Sequence, residues 1–210
     1  MDPALLGTAS AFGLAASAGL NTTLPLLCVA LLTRFGLIHL AAPYDALGSP
    51  IAIGVLALLA VVEFVGDKVP AVDSVVHAVQ WPLASAAGAI LFASQTNLIT
   101  RVSPEVALVV GLLTAAGVHG ARTATRPAVT ATTVGTGNTA LSLAEDAYSL
   151  ALASTSALAP VVGFLLLIVL VAAFALAVVF IIRGGRRIGR LFSRPSPPIQ
   201  ASSDRTAPAA

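Results

Sequence analysis

Apolar runs long enough to reach across a lipid bilayer are the feature that most limits how this chain can fold. The longest covers residues 157–182, and the other runs of Ala, Leu and Val are broken only by single Gly, Pro or polar residues. With 57% hydrophobic and 10% charged residues and a mean hydropathy of +0.95, the chain has no room for a large soluble domain. We predict an all-α integral membrane protein, a compact bundle of about six transmembrane or partly broken helices.

Charge is distributed unevenly along the chain. Residues 1–182 hold five basic and eight acidic side chains, whereas residues 183–210 hold six basic and one acidic. Arginines directly after a membrane helix mark its cytoplasmic end and lie near anionic lipid headgroups, so nucleic-acid binding is the weaker interpretation. The predicted domains are a polytopic membrane domain (1–182), a juxtamembrane basic segment (183–194) and a disordered cytoplasmic tail rich in Pro, Ser and Ala (195–210).

The charges within the apolar part are concentrated in VVEFVGDKVPAVD, residues 61–73. Glu63 and Asp67 are four residues apart, which places them on one face of a helix that Pro70 should end near Lys68. Two carboxylates in a poorly hydrated place should hold a proton, bind a cation or recruit a basic side chain. The alternative is a helix end in water, with solvated charges and a last aspartate that caps the next helix. The candidate binding or ion-coupling residues of this segment are Glu63, Asp67, Lys68 and Asp73.

Basic side chains follow in GVHGARTATRP, at the end of a helix predicted from residue 104. His119, Arg122 and Arg126 are spaced by three and four residues and share a face if the helix continues, although Pro127 predicts that it stops there. Arg122 and Arg126 could bind a phosphate or carboxylate group, pair with the carboxylates of the 61–73 segment, or mark a cytoplasmic loop, which is the commonest role of such arginines.

A second group of polar residues lies in the apolar sequence NTALSLAEDAYSLALAS. Asn138, Ser142, Glu145 and Ser149 recur at helical spacing, with Asp146 beside them. Such a stripe should face protein or water, because unpaired polar groups in hydrocarbon cost several kcal/mol. We therefore predict that this stripe, the arginine pair and the acidic segment before them meet inside the bundle.

Two interruptions of the apolar pattern have related sequences. GLNTTLP (19–25) and GNTALSL (137–143) share a Gly, Asn, Thr and Leu arrangement, each before an apolar helix. Each break is either an ordinary loop or a broken helix that faces a cavity. Paired breaks in two halves point to a midplane binding site in transporters built from repeats, so the hypothesis of two weakly related halves follows.

The strings GLAASAGLNTTLPLL, E-x-x-x-D-K-x-P-x-x-D and N-x-x-x-S-x-x-E-D together resemble one family. It is the domain of unknown function family 4126, small polytopic membrane proteins of bacteria with relatives in plastids. The resemblance covers roughly residues 10–155, and the acidic strings are its most specific part. It implies an α-helical inner-membrane protein but no settled activity, and the long final helix with its arginine tail lies beyond it.

Three functions remain open. The first is a small membrane transporter or lipid-carrier flippase, coupled to protons or cations through the acidic residues, with an arginine that holds an anionic group. The second is a non-catalytic scaffold or assembly protein that uses small-residue helix faces for oligomer contacts. An intramembrane enzyme is third, because the sequence has paired acids but no nucleophile motif, HExxH string or phosphate-binding glycine loop.

The expected surroundings follow from the same features. We predict a multi-pass protein of the bacterial cytoplasmic membrane whose C-terminus is cytoplasmic. Its partners are membrane lipids, anionic headgroups at the C-terminal arginines, an anionic small molecule or lipid phosphate, and a second copy of the chain in a homo-oligomer. No cofactor, metal site or catalytic residue is predicted.

Overall fold

Seven α-helices account for nearly all of the chain that the structure describes. A computed structural model covers residues 2–66, 73–95, 102–133 and 136–192; at 66, 73–78, 136 and 184–192 only the backbone is described. Within these residues there is no β-strand, and a 3₁₀ turn at Tyr44–Gly48 is the one other regular element. The helices are α1 (Pro3–Leu20), α2 (Thr23–Arg34), α3 (Pro50–Gly66), α4 (Asp73–Ala93), α5 (Pro104–Thr133), α6 (Thr136–Leu158) and α7 (Pro160–Phe192).

Apolar length identifies a membrane protein. Three stretches are long and apolar enough to cross a bilayer: Pro3–Leu20, Pro104–Thr133 and Pro160–Arg183. Three shorter apolar helical stretches, in α2, α3 and α4, are between 10 and 17 residues long. The prediction of an all-helical membrane bundle is confirmed. Helix α7, with 33 residues, is about 50 Å long, more than the roughly 30 Å of bilayer hydrocarbon.

Helix α1 is the centre of the bundle, and α4, α5, α6 and α7 all pack against it. The most apolar 18-residue stretch of α1 is 61% buried and has a mean hydropathy of 1.3. The corresponding stretch of α7 is only 6% buried and has a mean hydropathy of 3.5. Helix α1 can lie at the centre because small side chains at its contacts let the helix backbones approach closely. A Cβ atom added at Gly19 would collide with Val118 of α5, and one at Gly88 of α4 would collide with Ala115.

One sequence-based expectation about a helix end is wrong in α5. The helix does not stop at Arg126 but runs through Pro127 to Thr133. Most of the Thr- and Gly-rich stretch after it is also helical. Proline is tolerated inside buried membrane helices when neighbouring groups fix the turn. Here Arg126 is bonded to α6 directly before the proline, and Thr130 Oγ1 donates to the carbonyl of Arg126 at 3.0 Å.

Helix α4 is continuous through the apolar residues 82–93. From the sequence alone, residues 82–94 are either part of a tilted helix that begins near residue 73 or a re-entrant element. The structure has one continuous helix, Asp73–Ala93, with Pro82 inside it. Asp73 is therefore the first residue of α4, although its side chain lies outside the described atoms, so its predicted capping bond stays a prediction.

Candidate functional site

A short break between α1 and α2 brings backbone polar groups into the bundle. Asn21 follows the last residue of α1 with extended φ and ψ of −140° and 132°, and it is 4% exposed. Its side-chain oxygen accepts from the backbone amides of Thr23 (3.0 Å) and Leu24 (2.8 Å). This is the geometry of a helix N-cap, which satisfies amides that have no partner within the helix. Asn21 therefore starts α2 deep inside the protein.

Glu63, from the last turns of α3, lies at the same break. Its Oε1 accepts from the amide of Thr22 at 3.1 Å, and its Oε2 accepts from the amide of Thr23 at 3.1 Å and from the Thr23 hydroxyl. Gln80 of α4 contributes a longer bond from Nε2 to Oε1, 3.4 Å. The N-terminus of a helix carries partial positive charge and suits an anion. The start of α2 therefore binds the carboxylate of Glu63 from the same chain.

Asn21 connects this carboxylate to α6. Its side-chain amide donates to Asp146 Oδ1 at 2.9 Å, and Asp146 is 7% exposed. Since the amide of Thr23 is shared between Glu63 and Asn21, a continuous path of hydrogen bonds runs from Glu63 through Thr23 and Asn21 to Asp146. We call this path the relay. It joins α3, the α1–α2 break and α6.

The arginine pair of α5 meets the next residue of α6. Arg122 Nε lies 2.7 Å from Glu145 Oε2, and Arg126 Nη2 lies 3.0 Å from the same oxygen. The side chains are 2%, 12% and 7% exposed, in the order Arg122, Arg126 and Glu145. Arg126 Nε makes no hydrogen bond within the described residues. Since burial removes the ions from water, these pairs must be held by good geometry, and removal of one partner is strongly destabilising.

The remaining polar residues of the stripe on α6 fix the helix in place. Ser149 Oγ donates to the carbonyl of Ser17 on α1 at 2.9 Å, and Ser142 is 1% exposed. Asn138 lies at the edge, where its amide donates to Thr130 Oγ1 of α5 at 2.9 Å. The stripe faces protein along the buried part of α6, as the sequence indicated, whereas Asn138 joins the ends of α5 and α6.

Two mainly apolar cavities reach the polar groups from different sides. One, of about 480 Å³, lies between α2, α3 and α4 and includes Glu63. The other, of about 340 Å³, lies between α5, α6 and α7 and includes Glu145. The transporter hypothesis predicts one shared cavity that contains Glu63, Asp67, Arg122 and Glu145. Among the described residues, Glu63 and Glu145 instead line two different cavities.

The structure brings some of the predicted site residues together. Arg122, Arg126 and Glu145 meet directly, and the described hydrogen bonds join Asp146 to Glu63 through the relay. Asn138 and Ser142 lie nearer the start of α6. Asn21 and the threonines beside it were missed, although the sequence showed the break. Asn21 contributes its side-chain amide, whereas the threonines contribute mainly backbone amides, which residue type does not reveal. The structure does not describe Asp67 and Lys68, and it describes only the backbone of Asp73.

Metal binding finds no support in the described residues, where no group of three or more His, Cys, Asp or Glu side chains could hold an ion. His119, which precedes Arg122 by one turn, is buried at 3% exposure on the same face of α5. The predicted shared face of His119 and the two arginines is therefore present. Its chemistry is that of buried ion pairs and hydrogen bonds.

Comparison with known families gives one match. The model described as "Domain of unknown function (DUF4126)" covers residues 8–180. The match extends past the predicted limit near residue 155 and takes in α7 as far as residue 180, so this helix is not an addition to the family's pattern. No curated protein and no solved structure shows significant similarity to the chain.

Proposed function

The chain belongs to the DUF4126 family, whose description assigns no activity, and we propose from its site that it is a small membrane transporter or lipid-carrier flippase. The observation that carries the proposal is the relay from Glu63 to Asp146 at an interrupted pair of helices. Interrupted helices with ionisable residues inside a membrane bundle are how transporters form their binding sites. The relay lies between two cavities, so a substrate group could be exchanged across it.

The arginine pair supports a role in holding an anionic group of the substrate. Arg122 and Arg126 share one oxygen of Glu145, and Arg126 Nε is a donor that no described acceptor uses. A phosphate or carboxylate that reached this point would find charge-assisted donors already oriented. Glu145 is already bonded to both arginines. An incoming anion must therefore displace the Glu145 carboxylate, or it must arrive together with a proton that neutralises this carboxylate. This competition is the proposed link to a proton or cation.

The scaffold alternative relied on small-residue faces that are free for oligomer contacts. Several of these faces are used inside the bundle: Gly88 meets Gly111 and Ala115 between α4 and α5, and Gly13 meets Ser156 between α1 and α6. Buried charges are also an expensive way to build a scaffold, since each ion costs several kcal/mol to desolvate. Both observations favour the transporter over the scaffold.

The orientation and surroundings form part of the proposal. The arginines from Arg183 onward would lie on the cytoplasmic side of a bacterial inner membrane, by the excess of positive charge expected there. Helix α7 continues to Phe192, so part of the basic segment is a helical extension rather than a loop. Anionic headgroups would be its partners.

Proteoliposomes test the proposal. The full chain is reconstituted and assayed for exchange of fluorescent phospholipids between leaflets, and for proton-linked uptake of small anions. We expect Glu145→Gln and Asn21→Ala each to lower the rate about tenfold or more. This factor follows if the disturbed site geometry raises the activation free energy of transport by about one to two kcal/mol. Glu105→Gln, an exposed change at the start of α5, is the matched control and should leave the rate unchanged.

The outcome that would contradict the proposal is equally definite. Wild-type and empty liposomes would show the same rates across lipids and anions, while circular dichroism confirmed that the reconstituted protein is helical. If Glu105→Gln lowered the rate as much as Glu145→Gln, charge in general and not the buried pair would be responsible. The pair would then lose its assigned role.

A further inference from the structure

The smaller cavity, between α5, α6 and α7, has walls that are almost entirely apolar. Its two hydroxyls are already used within the protein: Tyr148 Oη donates to the carbonyl of Leu166 at 2.7 Å, and Thr125 Oγ1 donates to that of Arg122 at 2.8 Å. Its volume of about 340 Å³ lies in the range of roughly 300–1,000 Å³ that small-molecule sites occupy. Apart from the carboxylate of Glu145, the walls therefore offer an occupant hydrocarbon contacts.

The cavity opens sideways, toward the lipid that surrounds the bundle. Val169 of α7 is 56% exposed, and Ala173 of α7 and Ala144 of α6 are exposed as well. All three line the cavity. Exposed apolar side chains of a membrane helix contact lipid hydrocarbon. A lipid acyl chain therefore reaches this opening directly from the bilayer, without passing through water.

The distance from this opening to the basic end of α7 matches the depth of one leaflet. Val169, Ala173 and Ala177 line the cavity. They precede Arg183, the last residue of the membrane-length stretch, by fourteen, ten and six residues. At about 1.5 Å per residue they lie about 21, 15 and 9 Å from it along the helix. The hydrocarbon of one leaflet is about 15 Å deep, half of the roughly 30 Å core. A lipid whose headgroup is level with Arg183 therefore has its acyl chains level with the cavity.

The charge at this end of α7 favours one kind of headgroup. Arg183 is exposed, three further arginines follow before Phe192, and the sequence of α7 contains no acidic residue. At 3.6 residues per turn, Arg183 lies within about 40° of Val169 around the helix, so it is on the side of the opening. Basic residues at the membrane surface attract anionic headgroups. A headgroup with a net negative charge is therefore a better match than a zwitterionic one.

We infer that this cavity holds an acyl chain of an anionic phospholipid whose phosphate lies at Arg183. The inference rests on the proposed function and deepens it. It names the substrate class as an anionic lipid, loaded from the leaflet at the C-terminal end of α7. The bound chain lies beside Glu145, which is bonded to Arg122 and Arg126. The lipid is therefore held next to the buried arginines that its headgroup would meet during transport.

Lipid binding to the purified full chain tests the inference without any transport measurement. The protein is titrated with phosphatidylglycerol and with phosphatidylcholine of the same acyl chains, and bound lipid is counted by native mass spectrometry. Ala173→Phe fills the cavity, whereas Ala172→Phe adds the same ring at the neighbouring exposed position of α7, outside the residues that line the cavity. Arg183→Gln removes one charge at the opening, and Arg34→Gln removes one exposed charge at the end of α2.

The expected result has three parts. The wild type binds phosphatidylglycerol more tightly than phosphatidylcholine. Ala173→Phe weakens the binding of both lipids about tenfold, whereas Ala172→Phe binds them like the wild type. Arg183→Gln lowers the preference for phosphatidylglycerol about fivefold, whereas Arg34→Gln leaves it unchanged.

Two outcomes would overturn the inference. Equal binding by Ala173→Phe and Ala172→Phe would remove the site. A preference that is absent in the wild type, or unchanged in Arg183→Gln, would remove the headgroup assignment. A protein that binds phosphatidylglycerol in this way but does not exchange it between leaflets would refute the proposed function and leave this inference intact.

Discussion

Two carboxylates inside the same apolar bundle are stabilised in different ways. The described hydrogen bonds of Glu63 come chiefly from the backbone amides at the start of α2. Glu145 is bonded to two guanidinium groups of α5. If Glu63 loses its charge, the amides of Thr22 and Thr23 can still donate to a neutral acceptor. If Glu145 loses its charge, two buried guanidinium groups lose the carboxylate that they share. The comparison teaches that two residues of the same type contribute differently to stability, since Glu145 is 7% exposed and Glu63 is only half-buried.

The largest effect is expected at Glu145. Glu145→Gln should lower the free energy of unfolding by about 3–5 kcal/mol, because it removes the carboxylate charge that two buried arginines share. Unfolding in mixed micelles, followed by circular dichroism, measures this loss. Glu105→Gln is the exposed control and should unfold like the wild type.

A companion variant separates lost charge from lost packing. In Arg122→Met with Glu145→Met, only the charge of Arg126 remains of the three charges that meet there, so we expect part of the stability to return. A double variant less stable than Glu145→Gln would mean that the ion pair contributes by shape and hydrogen bonding rather than by charge balance.

A smaller effect is expected at Glu63. Glu63→Gln keeps one acceptor oxygen for the amides of α2 and should cost about 1–2 kcal/mol, the scale of a hydrogen bond to a charged group. The same unfolding measurement decides the ranking. If Glu63→Gln proved as destabilising as Glu145→Gln, the proposed difference between backbone and side-chain stabilisation would be wrong.

The smallest effect is the coupling through the relay. Glu63→Gln and Asp146→Asn, combined in a double-mutant cycle, should show an interaction energy of about 0.5 kcal/mol, since members of one hydrogen-bond network are not additive. In an Asn21→Ala background this coupling should disappear, because the link between the two ends is gone. Glu105→Gln paired with Asp146→Asn should be additive. Coupling that survives loss of Asn21 would locate the connection elsewhere.

The sequence predicted the helices and one half of the site well. Apolar runs located α3 and α7, and the spacing of His119, Arg122 and Arg126 predicted the face that meets α6. Side-chain charge and helical period are both visible in the sequence, so this half could be inferred. The prediction that α5 ends at Pro127 is wrong, because the local steric rule is outweighed by packing and by the Arg126–Glu145 bond.

The other half could not be predicted from residue types. The expectation that Glu63 and Asp67 hold a proton, bind a cation or recruit a basic side chain stays a prediction, because Asp67 and Lys68 lie outside the described residues. The described bonds of Glu63 come mainly from the amides of Thr22 and Thr23. Backbone amides are present at every residue except proline, so only the position where a helix starts makes them special. GLNTTLP showed that a break exists, but the sequence did not indicate which distant carboxylate lies against it.

The close contact of α4 with α1 and α5 has a consequence for how this protein tolerates mutation. Enlarging Gly88 or Gly111 pushes a side chain into a neighbouring helix, whereas Gly54, Gly117 and Gly120 have open space around them. Glycine is therefore required by packing at some positions and replaceable at others. Among related sequences of this fold, we expect the closely packed glycines to be substituted rarely and the glycines with open space around them to be substituted freely.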